Sequence, residues 1–337
     1  MKVERTKSRR GTVALAVAVA AALLFAQILF FPLPKPLLRY LTVQSAGWML
    51  NDTKRTLAGI ENFGKIFTSE LLQQSMISHF HDRYSKPSWS NDANYAGMLL
   101  HKLRPTLISQ REIYHESAGT PTAIAGLGWC DELNGIAGRL LAHDFDKVEI
   151  VGVRDKKTGG HSFGRFWSPQ HADWLYFDIW TEEVLIFRVQ PNSAPEYLYR
   201  SSPVGPSAVT PDDFAIVNTL HSGTKRGFVH NRLQDSVGEY FGTRIANIFS
   251  HGSPHPQEFI ATLKVMIAEN AFEPVSWRKV PKHSTPQARE YGKARVAQIL
   301  GDNRTARYSY RLVAQQDPES SYGLAAKKFL GRLSTAK

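Results

Sequence analysis

The chain has 337 residues, 42% of them apolar, with one cysteine and a formal net charge of +11 at pH 7. This apolar content supports a buried core and excludes a wholly disordered chain. At roughly 150 residues per domain, the length fits one large domain or two modest ones. The single cysteine, Cys130, excludes an intramolecular disulfide and any zinc site built from cysteines alone.

The excess positive charge lies at the two ends of the chain. Residues 1–40 have a balance of +6 and residues 278–337 a balance of +9, so the residues between them carry −4 of the total of +11. Nucleic-acid-binding proteins more often show a basic face within their folded part. The distribution therefore argues against a nucleic-acid partner. It favours a membrane topology signal at one end and a basic element at the other.

An uncharged apolar run covers residues 11–31, after a basic segment over 1–10. At about 1.5 Å per residue, a helix of this length spans roughly 30 Å, the thickness of a bilayer core. Because basic flanks stay on the cytoplasmic side, we predict a transmembrane signal anchor over 11–33 and a cytoplasmic segment 1–10. The expected location is the bacterial inner membrane, with a single pass and the rest of the chain in the periplasm. A cleaved signal peptide is the alternative, but its apolar region would normally be about 7–15 residues long.

Downstream, apolar residues at helical spacing predict helices in the first part of the folded chain. These are Met49–Phe67, Ser69–Tyr84 and Asn91–Leu103. Residues 201–285, rich in Pro, Ser, Gly and His, predict an irregular, partly helical extension. Residues 286–337 predict a basic helical C-terminal region with helices over Ala288–Leu300, Asn303–Gln315 and Ser321–Leu333.

Between these blocks, Cys130 begins a predicted helix. Five apolar residues fall on one face of it: Leu133, Ile136, Ala137, Leu140 and Leu141. Gly126 and Gly128 allow a tight turn into the helix. A thiol at a helix N-terminus lies near the positive end of the helix dipole and near unpaired N–H groups, which favour the thiolate. Cys130 is therefore a candidate nucleophile.

Runs of β-branched and aromatic residues then predict an antiparallel sheet. The predicted strands are Lys147–Arg154, His161–Trp167, Trp174–Trp180 and Val184–Val189. His161 begins the second of them and Asp178 lies in the third. In this arrangement His161 would take the thiol proton, and Asp178 would fix the imidazole tautomer and stabilise its cation.

These residues, in this order, resemble the transglutaminase-like superfamily, whose members have a papain-like fold and a Cys-His-Asp triad. The resemblance covers roughly residues 90–190 and matches three motifs: Gly128-Trp129-Cys130, His161 after Gly159-Gly160, and Asp178 closing Trp174–Asp178. It implies an α+β domain over 37–200, with a helical part packed on an antiparallel sheet and Cys130, His161 and Asp178 as catalytic residues. Family members commonly have Trp and an acidic residue soon after the His, whereas in this chain Ser162–Trp167, which contains no acidic residue, follows His161.

Other roles for these residues remain open. Cys130 could be a packed core residue, His161 could cap a strand and Asp178 could bind a turn. His171 and Asp173 compete for the His and Asp roles, but they lie in a predicted turn. We expect Trp129 and Trp174 to line the substrate site. The backbone N–H of Cys130 would be one oxyanion donor, and a second donor is not identified from the sequence.

The remaining motifs are weak. His79, His81 and Asp82 are close in sequence, but on a helix the two histidines point to different faces, so we predict no metal site. His251 and His255 lie in a predicted loop. The chain has no P-loop or dinucleotide fingerprint, and no cofactor is predicted.

The expected function is that of a membrane-anchored extracytoplasmic cysteine hydrolase, a protease or amidase. It would act through a thioester on a protein or a peptide-bearing envelope component. An acyl transferase of the cross-linking type is one alternative, and a non-catalytic scaffold of an envelope or polysaccharide assembly system is another. The basic C-terminal region could bind an anionic lipid or polymer.

Overall fold

A computed structural model of the chain shows an α+β fold in which helices pack on an antiparallel sheet. The structure describes residues 15–20, 32–50, 60–85, 91–110, 112–113, 122–155, 159–189, 195–201, 226–234 and 285–335. The regions that position the candidate catalytic residues are therefore described.

The prediction of a transmembrane helix over 11–33 is wrong. Among the described residues, no helix is both long enough and apolar enough to cross a membrane. Within this range the structure describes a helical stretch over 15–20. Residues 11–14 and 21–31 lie outside the described residues, as does the basic segment 1–10.

Three helices come first in the described fold. Helix α1 spans Lys35–Met49, α2 spans Ile60–Tyr84 and α3 spans Asp92–Leu103. Helix α3 begins where the side chain of Asn91 accepts a hydrogen bond from the N–H of Asn94 at 3.0 Å. Helix α2 continues without a break at Thr68, where the sequence predicted a boundary, and part of the predicted Met49–Phe67 helix lies outside the described residues.

Short elements lead from α3 to the candidate nucleophile. They are a 3₁₀ turn at Arg104–Thr106, β1 at Ile108–Ser109, α4 at Thr122–Ala125, β2 at Leu127–Gly128 and α5 at Cys130–Leu141. Strands β1 and β2 pair in parallel, with Ser109 opposite Gly128. Helix α5 begins at Cys130, the residue at which the sequence predicted a helix start.

The main sheet has six antiparallel strands within the described residues. They are β3 (Lys147–Asp155), β4 (Gly159–Ser168), β5 (Asp173–Asp178), β6 (Leu185–Arg188), β7 (Glu196–Arg200) and β8 (Arg226–Gln234). Their order across the sheet is β7-β6-β5-β4-β3-β8. Strand β8 lies within the 201–285 segment that we expected to be irregular and partly helical, and β4 starts two residues before the predicted His161.

The sheet buries side chains on both of its faces. On one face, Val148, Phe166 and Leu175 join the main core, and helix α5 packs against β3 and β4. A second apolar cluster consists of Val151, Phe163, Tyr176, Leu185, Phe187 and Val189. Helix α5 thus lies over β3 and over β4, the strand that carries His161.

The C-terminal helices belong to the same core. Helix α6 spans Pro286–Leu300, α7 spans Asn303–Gln316 and α8 spans Ser321–Thr335. The N-cap of α6 is Thr285, and its C-cap is Gly301 at φ 81°, a left-handed conformation that glycine adopts without strain. Tyr291 and Phe329 are fully buried in one cluster with residues of α1, α2 and α5. The C-terminal region is thus an integral part of the described fold.

Candidate active site

Cys130 is the first residue of helix α5, and the turn before it is closely held. The backbone N–H of Ile108 donates to the carbonyl of Gly126 at 2.7 Å, and that of Gln110 donates to Gly128 at 3.0 Å. The Glu132 carboxylate accepts a hydrogen bond from the N–H of Trp129 at 3.0 Å, as capping residues do at helix starts. The first N–H groups of a helix have no acceptor within the helix, so the N–H of Cys130 is available to a ligand.

His161 and Asp178 meet where β4 begins and β5 ends. The Nε2 atom of His161 lies 2.6 Å from Oδ2 of Asp178, and both side chains are about nine-tenths buried. The antiparallel register places Gly164 opposite Phe177, which brings the two side chains to the same end of the sheet. Cys130 is the other hydrogen-bond and charge partner of His161. Since Nε2 faces Asp178, Nδ1 is the nitrogen that remains for the thiol.

Asn134 joins the helix to this pair. It is fully buried one turn after Cys130, and its Nδ2 donates to Oδ1 of Asp178 at 3.0 Å and to the carbonyl of Ser162 at 2.8 Å. Its Oδ1 accepts from the N–H of Ile179 at 3.0 Å. Asn134 therefore fixes α5 to both strands at once. No role for Asn134 was predicted from the sequence, although its place four residues after Cys130 puts it on the same helix face.

The charges of the site depend on one another. Burial alone lowers the pKa of His161, but the charge and hydrogen bond of Asp178, and then those of Cys130, raise it from 6.5 to about 10. Burial raises the pKa of Asp178, but its interactions with His161 and Asn134 outweigh burial and lower it from 3.8. The site therefore favours an imidazolium at His161 beside the ionised carboxylate of Asp178.

One of the two expected substrate-site tryptophans lies beside the nucleophile. Trp129, which precedes Cys130, is 46% exposed, and its ring stacks on that of Trp180 at 6.2 Å and 19°. Trp174 lies four residues before Asp178, toward the other end of β5, where it packs on the Arg165 guanidinium and on Trp167. The structure thus brings Trp129 and Trp180 to the site, and it places Trp174 at the far end of the strand.

The competing residues lie elsewhere. Nδ1 of His171 is 2.9 Å from the Ser168 hydroxyl, which itself donates to Asp92 at the start of α3. Asp173 accepts a hydrogen bond from the N–H of Trp174. Both His171 and Asp173 therefore serve the turn between β4 and β5.

The two histidines near residue 80 bind different partners. Nε2 of His79 lies 2.6 Å from the carbonyl of Leu33, whereas Nε2 of His81 lies 2.8 Å from Asp144. Within the described part of the chain, no group of three or more His, Cys, Asp or Glu side chains could hold a metal ion. His251 and His255 lie outside the described residues.

Gln110 is a second buried polar residue near Cys130 for which the sequence predicted no role. It directly follows Ser109, the partner of Gly128 in the β1–β2 ladder, so it lies beside the turn that leads to Cys130. Its side chain is 4% exposed, and neither its Nε2 nor its Oε1 has a hydrogen-bond partner among the described residues. A buried amide without a partner is costly, which makes it a candidate to bind a ligand.

The chain matches no protein-family model, no curated protein and no solved structure. The resemblance to the transglutaminase-like superfamily therefore stays a prediction from the motifs around Cys130, His161 and Asp178.

Proposed function

We propose that the protein is a cysteine hydrolase that cleaves amide bonds in proteins or peptides through a thioester. The observation that carries this proposal is the 2.6 Å contact between His161 and Asp178, with Cys130 as the other partner of the same imidazole. A His–Asp pair of this kind is also found in structural networks. Here, however, it faces the sole cysteine of the chain, at the start of a helix.

In the first half of the proposed reaction, the thiolate of Cys130 attacks the carbonyl carbon of an amide, and the carbonyl electrons move to its oxygen. The tetrahedral species then collapses, the C–N bond breaks, and the leaving amine takes a proton from Nδ1 of His161. The products are a thioester on Cys130 and a neutral imidazole, which Asp178 holds in its tautomer.

In the second half, water attacks the thioester carbon while His161 takes one of its protons. The C–S bond breaks, a carboxylic acid leaves, and Cys130 returns to the thiolate beside the imidazolium. Asp178 stabilises the cation in both halves without itself taking the proton.

The developing oxyanion requires hydrogen-bond donors. We assign these to the backbone N–H of Cys130, at the first position of α5, and to Nε2 of Gln110. The first lacks an acceptor within its helix, and the second is buried without a partner. Donors that are fixed before reaction stabilise the transition state more than the ground state.

The test is cleavage of a complex peptide mixture by the wild-type protein and by Cys130→Ala, with new N-termini counted by mass spectrometry. Circular dichroism would show that both proteins are folded. We expect new termini with the wild-type protein and none with C130A. Equal cleavage by both proteins would show that Cys130 is not the nucleophile. Cleavage by neither would contradict a hydrolase and favour the non-catalytic scaffold.

A further inference from the structure

Arg295 is a cation buried in the core of the protein. Its side chain, on helix α6, is 0% exposed, and among the described residues it pairs with no carboxylate. Its Nη2 donates to the carbonyl of Ala123 at 2.8 Å and its Nε to that of Ile124 at 3.2 Å. Its Nη1 donates to the side chain of Gln298 at 2.6 Å. The buried charge is thus satisfied by neutral acceptors, two of which belong to helix α4.

Tyr291 extends this set of contacts by one residue. It lies one turn before Arg295 on α6, is also fully buried, and donates its hydroxyl proton to the carbonyl of Ala125 at 2.6 Å. Arg295 and Tyr291 together therefore bind the last three carbonyls of α4, which have no partners within so short a helix.

The next residue, Gly126, is shaped by the same contact. Its φ of +70° is strained for any side chain. A Cβ atom at this position would lie 2.6 Å from the guanidinium carbon of Arg295. The missing side chain thus leaves the space that Arg295 occupies. From Gly126, three residues lead to Cys130.

We propose that Arg295 is a positioning residue, which with Tyr291 fixes the α4–Gly126 turn and so sets Cys130 against His161. This inference rests on the proposed function. Its physical basis is that an apolar side chain would fill the same space without the cost of burying a charge. A guanidinium at this position is useful if the carbonyls of helix α4 must be held rigidly, because it offers several N–H donors in one fixed plane. Helix α6 thereby becomes part of the framework of the active site.

The test uses the single cysteine as its own reporter. The second-order rate of Cys130 alkylation by iodoacetamide is followed by intact mass from about pH 5 to 9. The proteins are the wild type, Arg295→Met and Arg295→Lys, at a temperature where circular dichroism shows them folded. Gly126→Ala should displace the turn before Cys130 as well, and it replaces R295M if that variant fails to fold. Arg307→Met is the matched control, because Arg307 donates to the carbonyl of Leu333 within the C-terminal helices.

We expect R295M and G126A to slow alkylation near pH 6 by roughly ten- to a hundredfold, since small misplacements of reacting groups have effects of this size. The alkylation rate of R295K should lie between the rates of these variants and that of the wild type, because lysine keeps the charge but loses the planar set of N–H donors. R307M should react as the wild type does, even where it lowers the melting temperature as much as R295M.

Equal rates for R295M, G126A and R307M would overturn the positioning role while leaving the proposed function intact. A wild-type rate no faster than that of the urea-unfolded chain would instead contradict the proposed function itself.

Discussion

At the scale of single residues, the candidate site depends on side chains that hold one another in place. His161 binds Asp178, and Asn134 binds Asp178 from the helix that carries Cys130. The three candidate catalytic residues could be predicted from the sequence, because a helix start and two strand ends mark their positions. Asn134 and Gln110 could not, since their roles arise from contacts between elements distant in sequence.

If Gln110 is an oxyanion donor, replacing it should affect amide hydrolysis but not the alkylation of Cys130. Gln110→Ala should lower amide hydrolysis by about 10²–10³-fold, the usual effect of removing one oxyanion donor. It should leave the alkylation of Cys130 by iodoacetamide unchanged, because displacement of iodide creates no oxyanion. Rates of both reactions on the same preparation provide the check, and a parallel loss in both would show that Gln110 supports the fold and not the oxyanion.

The raised pKa of His161 predicts a pH dependence with a defined sign. Because its folded pKa of about 10 exceeds 6.5, its contribution to stability is complete below about pH 6.5 and is lost as the pH rises toward 10. The lowered pKa of Asp178 gives a contribution that is present above about pH 3.8 and is lost in acid.

Asp178→Asn removes both contributions. We therefore expect the free energy of unfolding of the wild type to exceed that of D178N most between about pH 4 and 6.5, with the difference shrinking toward pH 10. Urea unfolding at several pH values measures it, and NMR of the His161 ring should show a pKa that falls when Asp178 is replaced. A difference in stability that does not vary with pH would contradict the charged pair.

At the scale of elements, the site depends on the close approach of β4 and β5. Gly164 of β4 lies opposite Phe177 of β5, and a Cβ at residue 164 would overlap the Phe177 ring. Phe177 directly precedes Asp178. The packing of this pair of strands therefore sets the distance between Asp178 and His161.

Gly164→Ala should destabilise the protein by about 1–3 kcal/mol through overpacking and should also slow the alkylation of Cys130. Gly135→Ala, in helix α5, is the control, since nothing lies within 4 Å of a Cβ there. Thermal melts and alkylation rates measure the two effects. If G164A behaved like G135A, the strand packing would not be what positions Asp178.

The sequence predicted individual elements better than their partners. The starts of α5 and α3 follow from capping and periodicity, which are local signals. Strand β8 was missed because its pairing with β3 joins residues about 80 positions apart, and no local pattern specifies it. The anchor over 11–33 was predicted from a long uncharged apolar run behind a basic segment, and the described residues contain no helix that could span a membrane.

At the scale of the whole molecule, an ion cluster ties the C-terminal helix to the first half of the chain. Glu112 is bound by Arg104 at 3.0 Å, by Arg332 at 2.9 Å and by Lys328. Although burial opposes it, Lys328, Arg104 and the backbone N–H of Ser109 together lower the pKa of Glu112 from 4.5 to about 2. The sequence predicted helices in this region but not their docking, because charge balance along a chain does not reveal which charges pair in space.

Glu112→Gln should cost about 3–5 kcal/mol at neutral pH, because it leaves partly buried cations without their carboxylate. Since the pKa is lowered, the contribution of Glu112 is present above about pH 4.5 and is lost as the pH falls toward 2, so wild type and E112Q should converge in acid. Glu182→Gln, at a 69% exposed side chain near the same cations, should change stability by no more than about 1 kcal/mol. Urea unfolding checks all three proteins.

The most direct test of the central claim is the pH profile of Cys130 alkylation in the wild-type protein. Because the cysteine is single, intact mass reports this thiol alone. If Cys130 and His161 form a thiolate–imidazolium pair, the rate should already be near its maximum at about pH 6, and His161→Gln should abolish this early plateau. A rate that instead rises tenfold per pH unit up to about 8.5, as for an ordinary thiol, and that H161Q does not alter, would contradict the account.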